Sequence, residues 1–521
     1  MKGMDDMTLE SLFPKMRQLR QLRRARLMAV CASAVLLAAC ANFKGIHSDA
    51  RLDTAGDFAT GTSLPGQGGR WPAQNWAEGI GGSALQDLVN EALAGNPNLQ
   101  GAQARIDAAR AMAEAAGAAK KPTVGASASD TYQRFTENGL IPPPFAGEYY
   151  SDVELALNFS YDFDFWGKHD AELRQAVSDQ RAAEAEQYNA RLMIATAVAR
   201  TWIQLARQYE QLDIVERQQA IRAQVDKLTQ LRLNAGLDTQ SEKQTTMQQT
   251  ASLKNEAAQW QEAIALSRNQ LGALLGKGPD RGLSIPAPVL PAAATADLPD
   301  NLPLDLMGRR PDIVAARWRV EAAQGGIADA KAQFYPNVNL SAFVGQSSLE
   351  WSSILKPGSR VLGIGPAITM PVFEGGRLRA QLKGRVAAYD GAVATYNQAL
   401  NDALHEVADQ VQSVRFARIQ SDNQRAATDA AEANLKLARQ REQVGTTNML
   451  QVLGTESAWL TQKKLQLDID ARRADLRVSL VKTLGGGFDA QAAGLAAPPA
   501  PAASSTPSAS SSNSNNGKTA S

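Results

Sequence analysis

The stretch VELALNFSYDFDFWGK, from Val153 to Lys168, alternates apolar and polar side chains before it reaches a glycine. Its odd positions carry Val, Leu, Phe and Tyr, whereas Glu, Asn, Ser and Asp occupy most of the even positions. Since successive side chains of a strand point to opposite faces, this pattern predicts a strand between an apolar medium and a polar one. The edge of a soluble β-sandwich gives the same pattern, so the surrounding sequence has to decide.

An internal duplication supplies that context. Pro97 in GNPNLQGAQARIDAAR matches Pro311 in RRPDIVAARWRVEAAQ at a spacing of 214 residues, and Gly236 matches Gly445 at a spacing of 209. Each copy reads as helix, strand, loop, strand, long helix, glycine turn and returning helix. The predicted units are repeat one at 83–278, with strands within about 123–165 and a tip near 236, and repeat two at 304–487, with strands within about 337–373 and a tip near 445.

Each strand pair is followed by a long segment with the composition of a helix. No proline or glycine occurs from His169 to Ala235, and residues that favour helices predominate. We therefore expect a helix from Lys168 to about Asn234, roughly 100 Å long at ~1.5 Å per residue. Its narrow, alanine-rich apolar stripe favours packing against other long helices in a coiled coil.

Residues 1–39 predict a signal peptide, because a basic run precedes a short apolar run. The sequence LAAC, ending at Cys40, resembles the lipobox of bacterial lipoproteins, in which the cysteine receives a covalent lipid and becomes the mature N-terminus. An ordinary secretory peptide with an incidental cysteine is the alternative. We expect residues 40–82 to form a lipid-anchored irregular segment, 279–303 a proline-rich linker and 488–521 a disordered tail.

Charge and composition argue against several classes of function. Without residues 1–39 the chain holds 47 basic and 50 acidic residues, a net charge of −3, which gives no basic excess for binding nucleic acid. The only histidines are His47, His169 and His405, and no nucleophile motif, phosphate loop or metal-spaced cluster occurs. We expect neither an enzyme nor a metal site, and no cofactor apart from the lipid at Cys40.

Four strands per chain predict oligomerisation. No apolar run after Cys40 approaches the roughly 20 residues of a membrane helix, so a membrane-spanning part would consist of strands. An open sheet leaves backbone groups unpaired, which hydrocarbon does not tolerate, whereas three copies supply twelve strands. The predicted fold is a mixed α/β membrane protein: a trimeric 12-stranded transmembrane β-barrel, continued by a periplasmic α-barrel of coiled-coil helices.

The run LPLDLMGRRPDIVAARWRVEAA followed by AKAQFYPNVNL, together with the duplication and Cys40, resembles the outer-membrane factor family, specifically the NodT-type efflux lipoproteins related to TolC and OprM. The resemblance covers about residues 40–487. It implies a homotrimer in the outer membrane of a Gram-negative bacterium, a passive exit duct for small molecules such as drugs and aromatic compounds. An inner-membrane pump would deliver them through a periplasmic adaptor. A duct for type I protein secretion and a structural envelope lipoprotein without a lumen are the alternatives.

The resemblance also implies a role for the two glycine turns. The family docks its adaptor at a tip motif. Helix termination alone is the alternative role for both glycines. The corresponding residues are Ala235, Gly236, Leu237 and Thr239 in repeat one, and Val444, Gly445, Thr446 and Thr447 in repeat two.

A gate is the second role that the resemblance implies. The family's acidic constriction would fall at Gln451 and Gly454, where this chain has no acid. Acids elsewhere near the tips also suit a solvated helix face, and constriction by leucines is the alternative. The gate candidates are therefore Glu242, Glu442, Leu450, Gln451, Leu453, Gly454 and Glu456.

Overall fold

The computed structural model describes residues 43–64, 68–291, 299 and 302–498. The predicted signal peptide, Cys40 and the chain beyond residue 498 lie outside the described residues. The main helices and strands are α1 Glu78–Gly95, α2 Pro97–Ala118, β1 Thr123–Arg134, β2 Tyr149–Phe163, α3 Lys168–Asn234, α4 Gln240–Leu274, α5 Pro279–Leu283, α6 Leu302–Arg309, α7 Pro311–Ala332, β3 Asn337–Ser348, β4 Arg360–Thr369, α8 Arg377–Gln443 and α9 Met449–Thr483. Within those ranges, no helix combines the length and the apolar character needed to cross a membrane.

The second half of the chain repeats the elements of the first half at nearly the same lengths. Helices α2 and α7 have 22 residues each, α3 and α8 have 67 each, and α4 and α9 have 35 each. Strands β1 and β3 have 12 residues each. These matching lengths agree with the spacing of prolines and glycines in the sequence.

Both long helices start directly after a glycine with positive φ. The φ angle is 70° at Gly167 and 89° at Gly376, in the left-handed region that other residues rarely adopt. This conformation lets the backbone turn from the end of a strand pair into a helix. The predicted helix from Lys168 to Asn234 is present with those bounds, and its 67 residues correspond to roughly 100 Å at ~1.5 Å per residue.

The four strands form one antiparallel sheet in the order β1-β2-β3-β4. Strands β2 and β3 belong to different repeats, so their pairing joins the two halves of the chain. One face carries the alternating apolar residues of β2, and those from Leu157 to Phe163 pair with apolar residues of β3, such as Val344. Asn158, Ser160 and Asp162 of β2 lie on the opposite, polar face.

The long helices pack side by side in the order α4, α3, α9, α8. The largest buried cluster lies where α1 meets three of them. Leu85 of α1, Leu205 of α3, Leu271 of α4 and Val478 of α9 are fully buried there. Burial of each such side chain contributes about 2 kcal/mol, so this cluster fixes α1 to the long hairpins.

Three predicted boundaries differ from the structure. The prediction of a disordered tail is wrong for residues 488–498, because Phe488 and Leu495 are buried against Val314 and Ala315 of α7. Trp318 Nε1 also donates a 2.8 Å hydrogen bond to the carbonyl of Leu495. The segment predicted as irregular through Gly82 already contains the start of α1, and the proline-rich linker contains α5 and the start of α6.

Candidate functional site

Each long hairpin reverses at a five-residue tip. Helix α3 ends at Asn234 and α4 begins at Gln240, so the first tip comprises residues 235–239. The Leu237 N–H donates to the carbonyl of Arg232 at 2.8 Å, and the Gly236 N–H donates to that of Leu233 at 3.0 Å. This pair of bonds is a Schellman motif, which satisfies the last carbonyls of a helix.

The second tip, residues 444–448, uses the same bonds. The Thr446 N–H donates to the carbonyl of Arg441 at 2.8 Å, and the Gly445 N–H donates to that of Glu442 at 2.9 Å. In addition, Thr446 Oγ1 donates to the carbonyl of Arg441 at 3.0 Å. The sequence repeat therefore encodes two nearly identical helix endings.

The tip glycines combine an obligatory conformation with open space around them. The φ angles of Gly236 and Gly445 are 72° and 76°. A Cβ atom added to either glycine would meet no other atom within 4 Å. Glycine is thus required by the backbone, and the space above it is free for a partner.

The two tips expose apolar side chains to solvent. Leu237 is 67% exposed and Val444 is 73% exposed. Ala235, Thr239 and Thr446 are also exposed, and Thr447 is half-buried. The predicted tip residues therefore lie together at the same end of the hairpins, on an accessible surface.

The helices that return from the tips are capped differently. The Glu242 N–H donates to Thr239 Oγ1 at 3.4 Å, while the Thr239 N–H donates to Glu242 Oε2 at 3.2 Å, which forms a capping box. At the second tip the Gln451 N–H donates to Asn448 Oδ1 at 2.9 Å. Gln451 therefore takes the position of Glu242, and the carboxylate present in repeat one is missing from repeat two.

An ion pair closes the first tip. Arg232 Nε lies 2.8 Å from Asp238 Oδ2, and the Asp238 side chain is 14% exposed. The hydrogen bond to Asp238 raises the pKa of Arg232 above its usual value. Thr447 stands at the corresponding place in the second tip, so the second tip lacks this pair.

Several gate candidates line one cleft just behind the tips. The cleft has a volume of about 360 Å³ and lies between α3, α4 and α9. Its walls include Asp238 and Glu242 from the first hairpin, and Leu450 and Gly454 from the second. The structure thus brings residues from both repeats to one place.

Leu453 also lines this cleft, although little of its surface is accessible. Its side chain is only 3% exposed and packs in a cluster with Ile221 and Leu460. Leu450, which is 37% exposed, remains the accessible leucine of the pair.

The other gate candidates lie apart from this cleft. Glu442 is half-buried at the end of α8. Glu456 is ion-paired with Arg439, whose Nη2 lies 3.1 Å from Glu456 Oε2, so this acid links α8 to α9. Gln451 is exposed and caps α9 through its backbone.

The contact between α3 and α9 sets the position of the two tips relative to each other. Near the middle of the hairpins it is ionic: Arg200 Nε lies 2.9 Å from Asp475 Oδ1, and Arg207 Nε lies 2.7 Å from Asp468 Oδ1. Toward the tips it becomes apolar, through the cluster that contains Leu453. The seven-residue spacing of these arginines and aspartates could have indicated the antiparallel pair from sequence.

Aromatic side chains mark the junction between the sheet and the helices. The rings of Trp166 and Tyr335 stack with centroids 4.5 Å apart, and Trp166 Nε1 donates to the carbonyl of Pro336 at 2.8 Å. Phe43 packs edge-on against Phe334 at 5.2 Å. Tryptophan and tyrosine favour the boundary between hydrocarbon and water, which suits this level of the molecule.

A search of the part of the chain that the structure describes finds no group of three or more His, Cys, Asp or Glu side chains suited to holding a metal ion.

A comparison with protein families identifies this architecture. The family model described as "Outer membrane efflux protein" matches residues 88–277 and 302–486, which together make up most of the chain and correspond to its two repeats.

Two characterised relatives are similar over most of their length. The fusaric acid resistance protein FusA of Burkholderia cepacia is 34% identical over 360 residues, which cover 68% of this chain and 68% of the relative. The multidrug resistance outer membrane protein MdtP of Escherichia coli is 28% identical over 484 residues, which cover 90% of this chain and 98% of the relative.

Solved structures share the fold. The outer membrane protein VceC of Vibrio cholerae is 38% identical and superimposes with a TM-score of 0.73, covering 80% of this chain and all of the VceC chain (100%). The outer-membrane channel OprN is 25% identical with a TM-score of 0.74, covering 86% of this chain and 98% of that chain. The predicted fold class, a β-domain continued by long coiled helices, is thereby confirmed. This chain belongs to the outer membrane efflux protein family and is an efflux channel of the outer membrane.

Proposed function

We propose that three copies of this chain form a passive exit duct of a tripartite efflux system, which receives small molecules from an inner-membrane pump through a periplasmic adaptor. The sheet is the single observation that carries this proposal. It has an apolar and a polar face, and within the described residues β1 and β4 each pair with only one strand. A sheet of this kind suits a barrel wall between lipid and a polar lumen.

Pairing between copies would satisfy the two outer strands. Unpaired backbone groups are not tolerated in hydrocarbon, so β4 of one copy is expected to pair with β1 of the next. Three copies then give a closed barrel of twelve strands.

The outer helices offer the corresponding surfaces in the periplasm. Helices α4 and α8 flank the four-helix layer, and each exposes large apolar side chains. Leu266 of α4 is 60% exposed, and Phe416 and Leu437 of α8 are 54% and 52% exposed. Contact between α8 of one copy and α4 of the next would bury these side chains and close the helical cylinder.

The tips are the proposed docking sites for the adaptor. Open space above Gly236 and Gly445 allows a partner backbone to approach closely, and exposed Leu237 and Val444 supply apolar contacts. The threonines of both tips add hydroxyl groups for polar contacts.

The gate is proposed at the level of the cleft behind the tips. Glu242 and Leu450 supply one charged and one apolar side chain per chain, with Gly454 beside them. Because Gln451 takes the place of an acid in repeat two, we expect weaker preference for cations than a gate with acids in both repeats would give.

Lipid attachment at Cys40 is proposed as the anchor. Phe43 packs against Phe334, close to the start of β3 at the aromatic junction. The three residues from Phe43 back to Cys40 span at most about 10 Å, so the lipid would reach the adjoining membrane surface.

The proposed cargo is small molecules, including drugs and aromatic compounds. The names of the relatives, which refer to multidrug and fusaric acid resistance, support this class. Selection among cargoes would fall mainly to the pump, and the duct itself would carry out no chemical step.

Site-specific photo-cross-linking in living cells tests the docking sites. A photoreactive residue at Leu237 or Val444 is expected to capture a periplasmic adaptor, whereas one at Leu266, which is equally exposed on α4, is expected to capture a second copy of the chain. Adaptor capture at Leu266 and none at the tips would overturn the proposed arrangement.

A further inference from the structure

The polar face of the sheet carries one large aromatic side chain at mid-height. Phe343 of β3 pairs with Asn158 of β2 and with Gly363 of β4, and Asn158 in turn pairs with Gly125 of β1. These four residues form a complete row across the sheet. Phe343 is 45% exposed, and its neighbours along β3 on this face are the small residues Ser341 and Gly345.

Glycines surround this ring. The four strands contain four glycines, and the register places all of them on the polar face: Gly125, Gly345, Gly363 and Gly365. Three of them lie in β3 and β4, next to Phe343. Glycine weakens a strand and often marks a place where another group approaches the backbone closely.

The ring of Phe343 lies across Gly363. A Cβ atom added to Gly363 would stand only 2.6 Å from Cε1 and 2.8 Å from Cζ of the ring. A Cβ atom added to Gly125 or Gly365 would meet nothing within 4 Å. The ring therefore lies over Gly363, and the backbone at Gly125 and Gly365 on the same face has open space above it.

We propose that Phe343 and the surrounding glycines form a stacking site for planar aromatic cargo inside the duct, with one copy of the site per chain. This inference rests on the proposed trimeric duct, because only the closed barrel places the polar face around a lumen. An aromatic ring stacks on a planar aromatic solute at an offset, and glycines leave room for the solute to lie flat. Each site would bind weakly, and the trimer would hold three of them. Weak binding suits a duct, because the cargo must also leave it.

A ligand-binding measurement separates this role from simple packing of the ring on Gly363. Titrations of the purified full chain in detergent, followed by ligand-detected saturation-transfer NMR, would use 1-naphthoate and its saturated counterpart, decahydro-1-naphthoate. The wild type is expected to bind 1-naphthoate roughly three- to tenfold more tightly than the saturated acid. Phe343→Leu is expected to remove that preference, and Phe343→Tyr is expected to keep it.

Phe159→Leu is the matched control, because Phe159 lies on the apolar face and pairs with Val124 and Ala342. It is expected to leave the preference unchanged. An unchanged preference in Phe343→Leu, or an equal loss in Phe159→Leu, would overturn the stacking site. Light scattering on the same samples shows whether the chain forms a trimer. A trimer without the preference for 1-naphthoate refutes the stacking site alone, whereas a chain that forms no trimer refutes both the duct and the site.

Discussion

Arg232 and Asp238 close the first tip with an ion pair of 2.8 Å, whereas Arg441 and Thr447 occupy the equivalent positions of the second tip. The two tips therefore share their backbone hydrogen bonds and differ in charge and in side-chain ion pairing. An adaptor that contacts both tips meets two related surfaces that are not identical.

Asp238→Asn is expected to loosen the first tip without affecting the second, because it removes the charge that holds Arg232. Hydrogen exchange of the amides at 231–239 should become faster, and exchange at 440–448 should stay as in the wild type. High salt should produce part of the same change in the wild type, since the pair is partly exposed. Identical exchange in variant and wild type would show that the backbone bonds alone hold the tip.

Arg310→Met is expected to destabilise the protein by about 2 kcal/mol. The Arg310 side chain is 10% exposed, donates to Asp312 at 2.6 Å and to Glu406 at 2.8 Å, and so ties the start of α7 to α8. Burial alone would lower the pKa of Arg310, but its hydrogen bonds to both carboxylates outweigh burial and raise it.

Thermal unfolding followed by circular dichroism measures this effect. Arg217→Met is the control, since Arg217 pairs with Asp213 one helical turn away and both are more than half exposed. The control is expected to cost about 0.5 kcal/mol or less. Equal melting temperatures for the two variants would contradict a structural role of Arg310.

Asp329→Asn is expected to stabilise the protein at neutral pH. Burial raises the pKa of Asp329 above 3.8, and the nearby Glu172 adds to this, while a hydrogen bond from Gln333 opposes it. The pKa of Asp329 is higher in the folded protein than in the unfolded chain, so the folded protein holds this proton more tightly. The wild type therefore loses stability as pH rises between the two pKa values. The asparagine keeps an oxygen for Gln333 and has no charge to desolvate.

The pH dependence of the melting temperature tests this sign. The gain of Asp329→Asn over wild type should be largest at neutral pH and should shrink as pH falls toward 3.8. Asp429→Asn, at an exposed position of α8, should show no such trend. A gain that grows on acidification would mean that the carboxylate is stabilised in the fold.

Cys40→Ser is expected to abolish metabolic labelling with a radioactive fatty acid, because serine offers no sulfur for the lipid. The trimer should survive, since the proposed contacts between chains are made by the sheet and the outer helices. Persistent labelling would refute the anchor at Cys40.

Much of the fold followed from local patterns in the sequence. Strict alternation from Val153 predicted β2, and the long run without proline or glycine predicted α3 with its bounds. Glycines at matching positions predicted the reversals near Gly236 and Gly445, because positive φ leaves few other residues possible.

Contacts between distant segments could not be predicted in the same way. The local sequence of α9 does not reveal that Leu453 packs against Ile221 of α3, or that Leu450 lines the cleft behind the tips. Likewise, nothing local indicates that Arg310 meets Glu406, or that residues after 487 pack on α7. These contacts depend on which helices become neighbours, and for these residues local periodicity does not encode the neighbour.

Intracellular accumulation of fluorescent pump substrates and aromatic acids in a deletion strain tests the central claim most directly. The strain would carry the wild type, Gly445→Trp or Gly494→Trp, where Gly494 is a control glycine with φ of 69° and open space, far from the tips in sequence. We predict that deletion raises accumulation, that wild type and Gly494→Trp restore low levels, and that Gly445→Trp does not. Accumulation that is the same with and without the protein would contradict its role as an efflux duct.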